Sequence, residues 1–213
     1  MTSPRIYCSG PLFCPEEVAA MAAIANTLET AGYSTFLPAR DGLEAWVLPY
    51  AKAAWTSLLQ PLRAQLDYAI FSLDLYELVD CCDAVVCNLN GRVPDEGMIV
   101  EASLAFAAGI PVLFFKDDIR SAFAGRDNAM LTSLGAAEPI RSLNALPKAV
   151  ERILLDEIQS IELSVPMQQT LSYGKTLSSF LHRIGFPRGK SPWPEDLIME
   201  LLKFIQPFSA PGR

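Results

Sequence analysis

The stretch DAVVCNLNGRVPDEGMIVEASLAFAAGIPV, residues 83–112, decides the fold. Residues 84–89, apolar but for Asn88, form the run expected of a strand covered on both faces. A polar loop follows, Asn90-Gly91-Arg92-Val93-Pro94-Asp95-Glu96. From about residue 97 to residue 108 the pattern is helical, and Gly109 suits the left-handed stop. Residues 111–115 make another buried strand. Strand, helix, strand at this spacing predicts parallel pairing.

The same alternation continues outward. Upstream, residues 5–8 read as a first strand entering the turn Ser9-Gly10-Pro11. Residues 15–31 carry Val18, Met21, Ala22, Ala25 and Leu28 at helical spacing, with Pro15 at the start and Gly32 at the end. Residues 34–37 are a second strand, ended by Pro38. Residues 38–60 are less regular and hold Arg40-Asp41-Gly42-Leu43-Glu44 and the tryptophans Trp46 and Trp55. Helical spacing returns over 61–82, with Leu62, Leu66, Ala69, Ile70 and Leu73. Downstream, 117–134 reads as a loop and short helix, and 143–163 as a long amphipathic helix. Two further helices are expected over 168–185 and 194–205, in a tail broken by Pro166, Pro187, Pro192 and Pro194. The expectation is an α/β fold, a doubly wound parallel sheet of flavodoxin-like or Rossmann-like type over residues 1–165. Residues 166–213 are expected to form a C-terminal α-helical appendage.

Bulk properties narrow the function. Half of the 213 residues are apolar (51%) and the net charge is −7, a globular profile that repels polyanions, so no nucleic-acid polymer is expected as a partner. No apolar run approaches the roughly 20 residues of a membrane span, and no secretory leader is read at the start. The expected location is the cytoplasm. Five cysteines without a CxxC pair, and a single histidine, His182, give no zinc pattern and no disulfide framework. No glycine pattern for a dinucleotide or a P-loop is present, and neither is a G-x-S-x-G motif. No metal and no cofactor are expected.

In an open parallel sheet ligands bind at the carboxyl ends of the strands. Three loops qualify, residues 9–15, 38–44 and 90–97. Glu101 lies near the start of the helix that follows the third, among Met98, Ile99, Val100, Ala102 and Leu104. A carboxylate in such apolar company is costly unless paired, and the positive end of the helix favours the anion needed of a nucleophile. The same position suits an acid that merely complements the helix dipole. Asp95 is equally readable as an N-cap, and Asp83 as an acid at a strand start. Asp95 and Glu101 together could form the two-carboxylate arrangement that glycosidic chemistry uses.

Three motifs carry a family resemblance: IYCSGPLF at 6–13, LPARDGLE at 37–44, and the D-x5-E run that joins Asp95 to Glu101 within residues 83–112. With Asp127-Asn128-Ala129-Met130-Leu131, they resemble the nucleoside 2-deoxyribosyltransferase family over roughly residues 5–135. The resemblance implies a doubly wound α/β fold and a homo-oligomer with shared active sites. It implies base exchange between a 2′-deoxynucleoside and a free nucleobase, as in nucleoside salvage, without a cofactor. Glu101 would be the nucleophile on C1′, with Tyr7 orienting it. Asp83 and Asp95 would serve base and sugar, with proton transfer at the base. Gly10 and Phe13 would line the pocket, and Asn128 would reach the sugar in an adjacent subunit's site. Arg40, Asp41, Gly97 and Met130, inside the same motifs, join the substrate-binding candidates. Two other functions remain open: hydrolysis of 2′-deoxynucleoside 5′-monophosphates, with Arg40 or Arg92 on the phosphate, and a nucleotide-binding domain without turnover.

Overall fold

A computed structural model describes residues 3–50, 59–91, 93–120, 127–155, 161–186 and 193–208. It divides into two compact units, Met1–Leu37 with Cys81–Glu162, and Pro38–Asp80 with Leu163–Arg213.

The first unit is built on four parallel strands, β1 (Arg5–Ser9), β2 (Ser34–Phe36), β3 (Ala84–Asn88) and β4 (Val112–Phe115), in the order β2-β1-β3-β4. The chain builds outward from β1 to β2, then returns to the other side of β1 to place β3. The order therefore reverses between β1 and β3, where the loops beyond their carboxyl ends part. All four strands match the expected segments to within a residue or two. The fold is doubly wound α/β, as expected. Ile140 adds a parallel bridge to Phe115 at the β4 edge.

Helices cover both faces. On one, α1 (Pro15–Thr30) sets Met21, Ile24 and Leu28 against Ile6, Cys8, Ala84, Val86, Leu113 and Phe115. Strand alternation sends Tyr7, Ser9, Val85 and Cys87 to the opposite face. There α5 (Glu96–Ala107) packs on β1, β3 and β4 with Met98, Ala102 and Ala105 buried. The small alanines let the helix lie close to the strands. Gly32 and Gly109 end α1 and α5 at φ +96 and +77, conformations that side chains other than glycine resist.

The second unit joins two separate stretches of sequence. Its first part carries α2 (Pro38–Asp41), α3 (Glu44–Tyr50), a 3-10 turn (Gln60–Leu62) and α4 (Arg63–Asp80). Its second part carries α8 (Val165–Arg183) and α9 (Glu195–Ile205). Leu43, Trp46, Leu66, Ala69 and Leu73 pack with Tyr173, Leu177, Phe180, Trp193, Leu201 and Ile205 in one core. At the α4–α8 crossing a Cβ on Gly174 would lie 2.0 Å from the Ser72 carbonyl oxygen, so the backbones touch where glycine alone fits.

Two expectations need correction. Contacts do not divide the chain at residue 165, because residues 38–80 group with the tail. The apolar stripe of α4 finds its partners there. The long helix expected over 143–163 is a 3-10 turn (Leu143–Ala145) and α7 (Leu146–Ile153), with Leu146, Val150 and Ile153 buried. Residues 161–164 are not helical, and 156–160 lie outside the described residues. The short helix expected within 117–134 is α6 (Ala129–Thr132).

Candidate active site

Residue spacing on α5 places Glu101 one turn from Met98 and beside Ala102, on the stripe that faces the sheet. It is half-buried. The Tyr7 hydroxyl donates to its Oε1 at 2.6 Å, and the Ser9 hydroxyl donates to its Oε2. Both donors come from the α5 side of β1 and are fully buried. The Tyr7 ring is fixed by stacking on Phe36, with centroids 5.3 Å apart. A carboxylate gripped by two hydroxyls on a rigid strand is oriented before any ligand arrives.

Cys87 is paired in register with Ser9 across β1 and β3. Its thiol is fully buried beside Ser9. Burial holds its pKa well above the usual thiol value, and the nearby Glu101 charge pushes it further. Ser9 and Cys87 were not among the sequence candidates. Strand alternation from Tyr7 to Ser9 was the signal that could have found the first.

The turn after β1 is tightly built. A Cβ on Gly10 would meet the Met21 sulfur at 2.5 Å and Asn88 Cβ at 2.9 Å. Glu17 accepts from the Phe13 and Cys14 amides at 2.9 and 3.1 Å, fixing the loop and leaving the Phe13 side chain 73% exposed. At the other loop, Asp95 caps α5 by accepting from the Met98 amide at 2.8 Å, with exposed Gly97 inside the same turn. This is the capping role that the sequence left open for Asp95.

Asp83 is not brought to Glu101. It precedes β3, at the amino edge of the sheet, where it accepts from the Arg5 amide at 2.7 Å. The five residues of β3 separate it from the carboxyl edge, about 16 Å at the rise of a strand. Its assignment to base or sugar is therefore corrected to a tie between β1 and β3.

Beyond β3 and β4 the loops are laced together. Asn90 donates to Asp117 at 2.6 Å and accepts from the Asp117 and Asp118 amides, while Gly91 donates to Asp118 at 2.8 Å. Buried Lys116 pairs with Asp118 at 3.3 Å and with Asp127 at 3.2 Å. Partial burial pushes the Asp118 carboxyl upward, but the Gly91 amide, Lys116 and Arg120 together hold it below its ordinary value. Asn128 caps α6 through the Met130 amide at 2.9 Å, and both residues are exposed. They border an open depression of about 910 Å³ with Ile99, Ser103, Lys116 and Asp127. Glu101 does not line it, because Ile99 and Ser103 lie on another side of α5.

Arg40 and Asp41 belong to the second unit. They are bound to each other at 2.8 Å through Arg40 Nη2 and also through Nε, so the guanidinium is already engaged with a carboxylate. Glu44 nearby has its carboxyl pushed up by burial, against a hydrogen bond to Asp74 that lowers it. Arg92, the other phosphate candidate, lies outside the described residues. Among the described residues no group of three or more His, Cys, Asp or Glu is placed to hold a metal ion, and no helix is long and apolar enough to cross a membrane.

A doubly wound sheet whose switch point presents a carboxylate pinned by two hydroxyls defines the class, an α/β protein with an acid-based site. The family model for nucleoside 2-deoxyribosyltransferases matches residues 6–135, and the chain belongs to that family. Among solved structures it is similar to a 2-deoxyribosyltransferase from the psychrotolerant bacterium Bacillus psychrosaccharolyticus, at 18% identity and a TM-score of 0.50, over 74% of this chain and 99% of that one. That likeness supports the fold. A conserved protein from Enterococcus faecalis V583 also matches, at 21% identity and a TM-score of 0.39, over 82% of this chain and 98% of that one. No curated protein matches the sequence.

Proposed function

We propose that this protein exchanges the base of 2′-deoxynucleosides through a 2-deoxyribosyl ester on Glu101. The observation that carries this reading is the paired grip of Tyr7 and Ser9 on the Glu101 carboxylate, beside the β1–β3 switch point. In the first half-reaction a Glu101 oxygen attacks C1′ and the bond from C1′ to the base nitrogen breaks. Its electron pair leaves with the base, which takes a proton from an acid. Asp95, five residues after Asn90 at the head of α5, is our candidate for that acid. In the second half an incoming base nitrogen attacks C1′, surrenders its proton, and Glu101 departs as carboxylate. Two displacements retain configuration and split one difficult step into two.

Two further elements belong to the proposal. Asn128 would complete the site of a neighbouring copy, an arrangement supported by its position on a different side of α5 from the Glu101 of its own chain. The physiological setting would be deoxynucleoside salvage in the cytoplasm. Nucleosides are preferred in this reading to their monophosphates, because the loop after β1, Ser9-Gly10-Pro11-Leu12-Phe13, carries no arginine to hold a phosphate.

The test is incubation with deoxyadenosine and free cytosine, followed by chromatography. Appearance of deoxycytidine supports exchange; adenine with free deoxyribose alone replaces the proposal with hydrolysis; no change points to a binding domain. Mass spectrometry should find a deoxyribosyl adduct on Glu101, and Glu101→Ala should remove both adduct and exchange while leaving the fold intact. An active Glu101→Ala variant overturns the mechanism.

A further inference from the structure

We infer that Ser9 is a positioning residue for Glu101, aimed by the Cys87 thiol behind it. The inference rests on the reading of Glu101 as nucleophile and adds how that carboxylate is held.

A serine hydroxyl has one proton to give and lone pairs to accept with. Its direction is decided by what surrounds it. Ser9 and Cys87 are register partners on adjacent strands, both fully buried, with side chains on the α5 side of the sheet. Register pairing sets the two side chains next to each other, and the Ser9 hydroxyl donates to Glu101 Oε2. A thiolate at Cys87 would compete with Glu101 for the single Ser9 proton. The Ser9 proton is given to Glu101, and burial keeps the neighbouring thiol protonated, so in our inference Cys87 turns its own proton toward the Ser9 oxygen and does not compete for the Ser9 proton. The result is a directed chain, from Cys87 Sγ–H to Ser9 Oγ–H to Glu101 Oε2.

This chain acts beside a separate one. Tyr7 holds Oε1 and Ser9 holds Oε2, so the plane of the carboxylate is fixed by two donors from one strand. The titratable groups facing Glu101 from the sheet are Tyr7 on β1 and Cys87 on β3; β4, Val-Leu-Phe-Phe, offers none. On α5 itself the other acids are Glu96 and the cap Asp95. Donors that favour the carboxylate also favour its departure from the ester. Ser9 therefore speeds the second half-reaction relative to the first.

The experiment labels glutamate side-chain carboxyl carbons with ¹³C and follows the Glu101 titration by NMR, the signal being assigned by its loss in Glu101→Gln. Ser9→Ala should raise the midpoint by about one pH unit, the size expected for losing a hydrogen bond to an ionised group. Cys87→Val, which keeps the volume and loses the donor, should raise it by a smaller amount. Cys87→Ser, which keeps a donor, should restore the wild-type midpoint. Ser9→Ala should also increase the fraction of enzyme trapped as the Glu101 adduct about tenfold, the same loss expressed as an equilibrium. An unmoved midpoint in Ser9→Ala overturns the positioning role, and equal effects of Cys87→Val and Cys87→Ser overturn the part given to the thiol. A moved midpoint together with no adduct in wild type supports the hydrogen-bond chain and overturns the nucleophile reading.

Discussion

Replacing Gly10 by alanine probes the site through its tightest joint. The added methyl carbon would fall 2.5 Å from the Met21 sulfur, 3.2 Å from the Met21 methyl and 2.9 Å from Asn88 Cβ. The two obstacles differ in kind. The thioether end of Met21 can swing to another rotamer, though it is buried against the sheet. Asn88 Cβ is attached to the last residue of β3 and can retreat only if the strand does. Overpacking of this sort costs about 1–3 kcal/mol, and we expect Gly10→Ala near the middle of that range. Ser9 is the next residue along, so part of the shift reaches its hydroxyl. A misplacement of about 1 Å can cost ~100-fold in rate, and a fraction of that distance here should lower kcat/KM about tenfold. Urea denaturation and the base-exchange assay measure the two effects. Met21→Ala in the same chain separates the obstacles: alone it should cost about 2–5 kcal/mol as a buried truncation, but combined with Gly10→Ala it should cost less than the sum by about 1 kcal/mol. Full additivity, or a Gly10→Ala protein as stable as wild type, would refute the packing argument.

The remaining predictions separate capping and pairing from chemistry. Asp95→Asn should keep the α5 cap and the stability of the protein, yet lose most base exchange if the carboxyl supplies the proton; Asp95→Ala should in addition lose about 1 kcal/mol in thermal or urea unfolding. Exchange at the wild-type rate in Asp95→Asn would leave Asp95 with capping alone. Asp83→Ala should lower stability by about 0.5–1.5 kcal/mol through its lost bond to the Arg5 amide while kcat/KM stays within about twofold. A hundredfold fall in kcat/KM would return Asp83 to the catalytic group.

The sheet was legible because its strands announce themselves. Residues 84–89, apolar but for Asn88, and 111–115, apolar throughout, are the runs expected of strands covered on both faces. Glu101 was legible for the opposite reason, as a charge where the helix is otherwise apolar. Asp83 misled because a sequence shows nearness along the chain and not which edge of the sheet a residue reaches; its position before β3 sends it to the wrong end. The helix over 143–163 was overextended because amphipathic spacing continues past Ile153, whereas α7 ends there with Leu154 as its cap and residues 161–164 are not helical. Ser9 went unnoticed because a serine in a turn-like Ser-Gly-Pro is usually read as a turn residue, although it is the last residue of β1. The partnership of α4 with the tail depends on contacts between residues about 100 apart, such as Gly174 against Ser72, and no local pattern encodes those.

That partnership affects how the chain compares with others. The family match ends at residue 135, yet it includes α4, whose apolar face is buried by residues after 163. The tail is thus the missing half of a core that the family region only begins. Cutting the gene at residue 165 would uncover Leu66, Ala69 and Leu73 and would not yield a clean smaller enzyme. A relative that carries the α4 segment without such a tail must shield that face by other means, with another stretch of its own chain or with a second copy of itself.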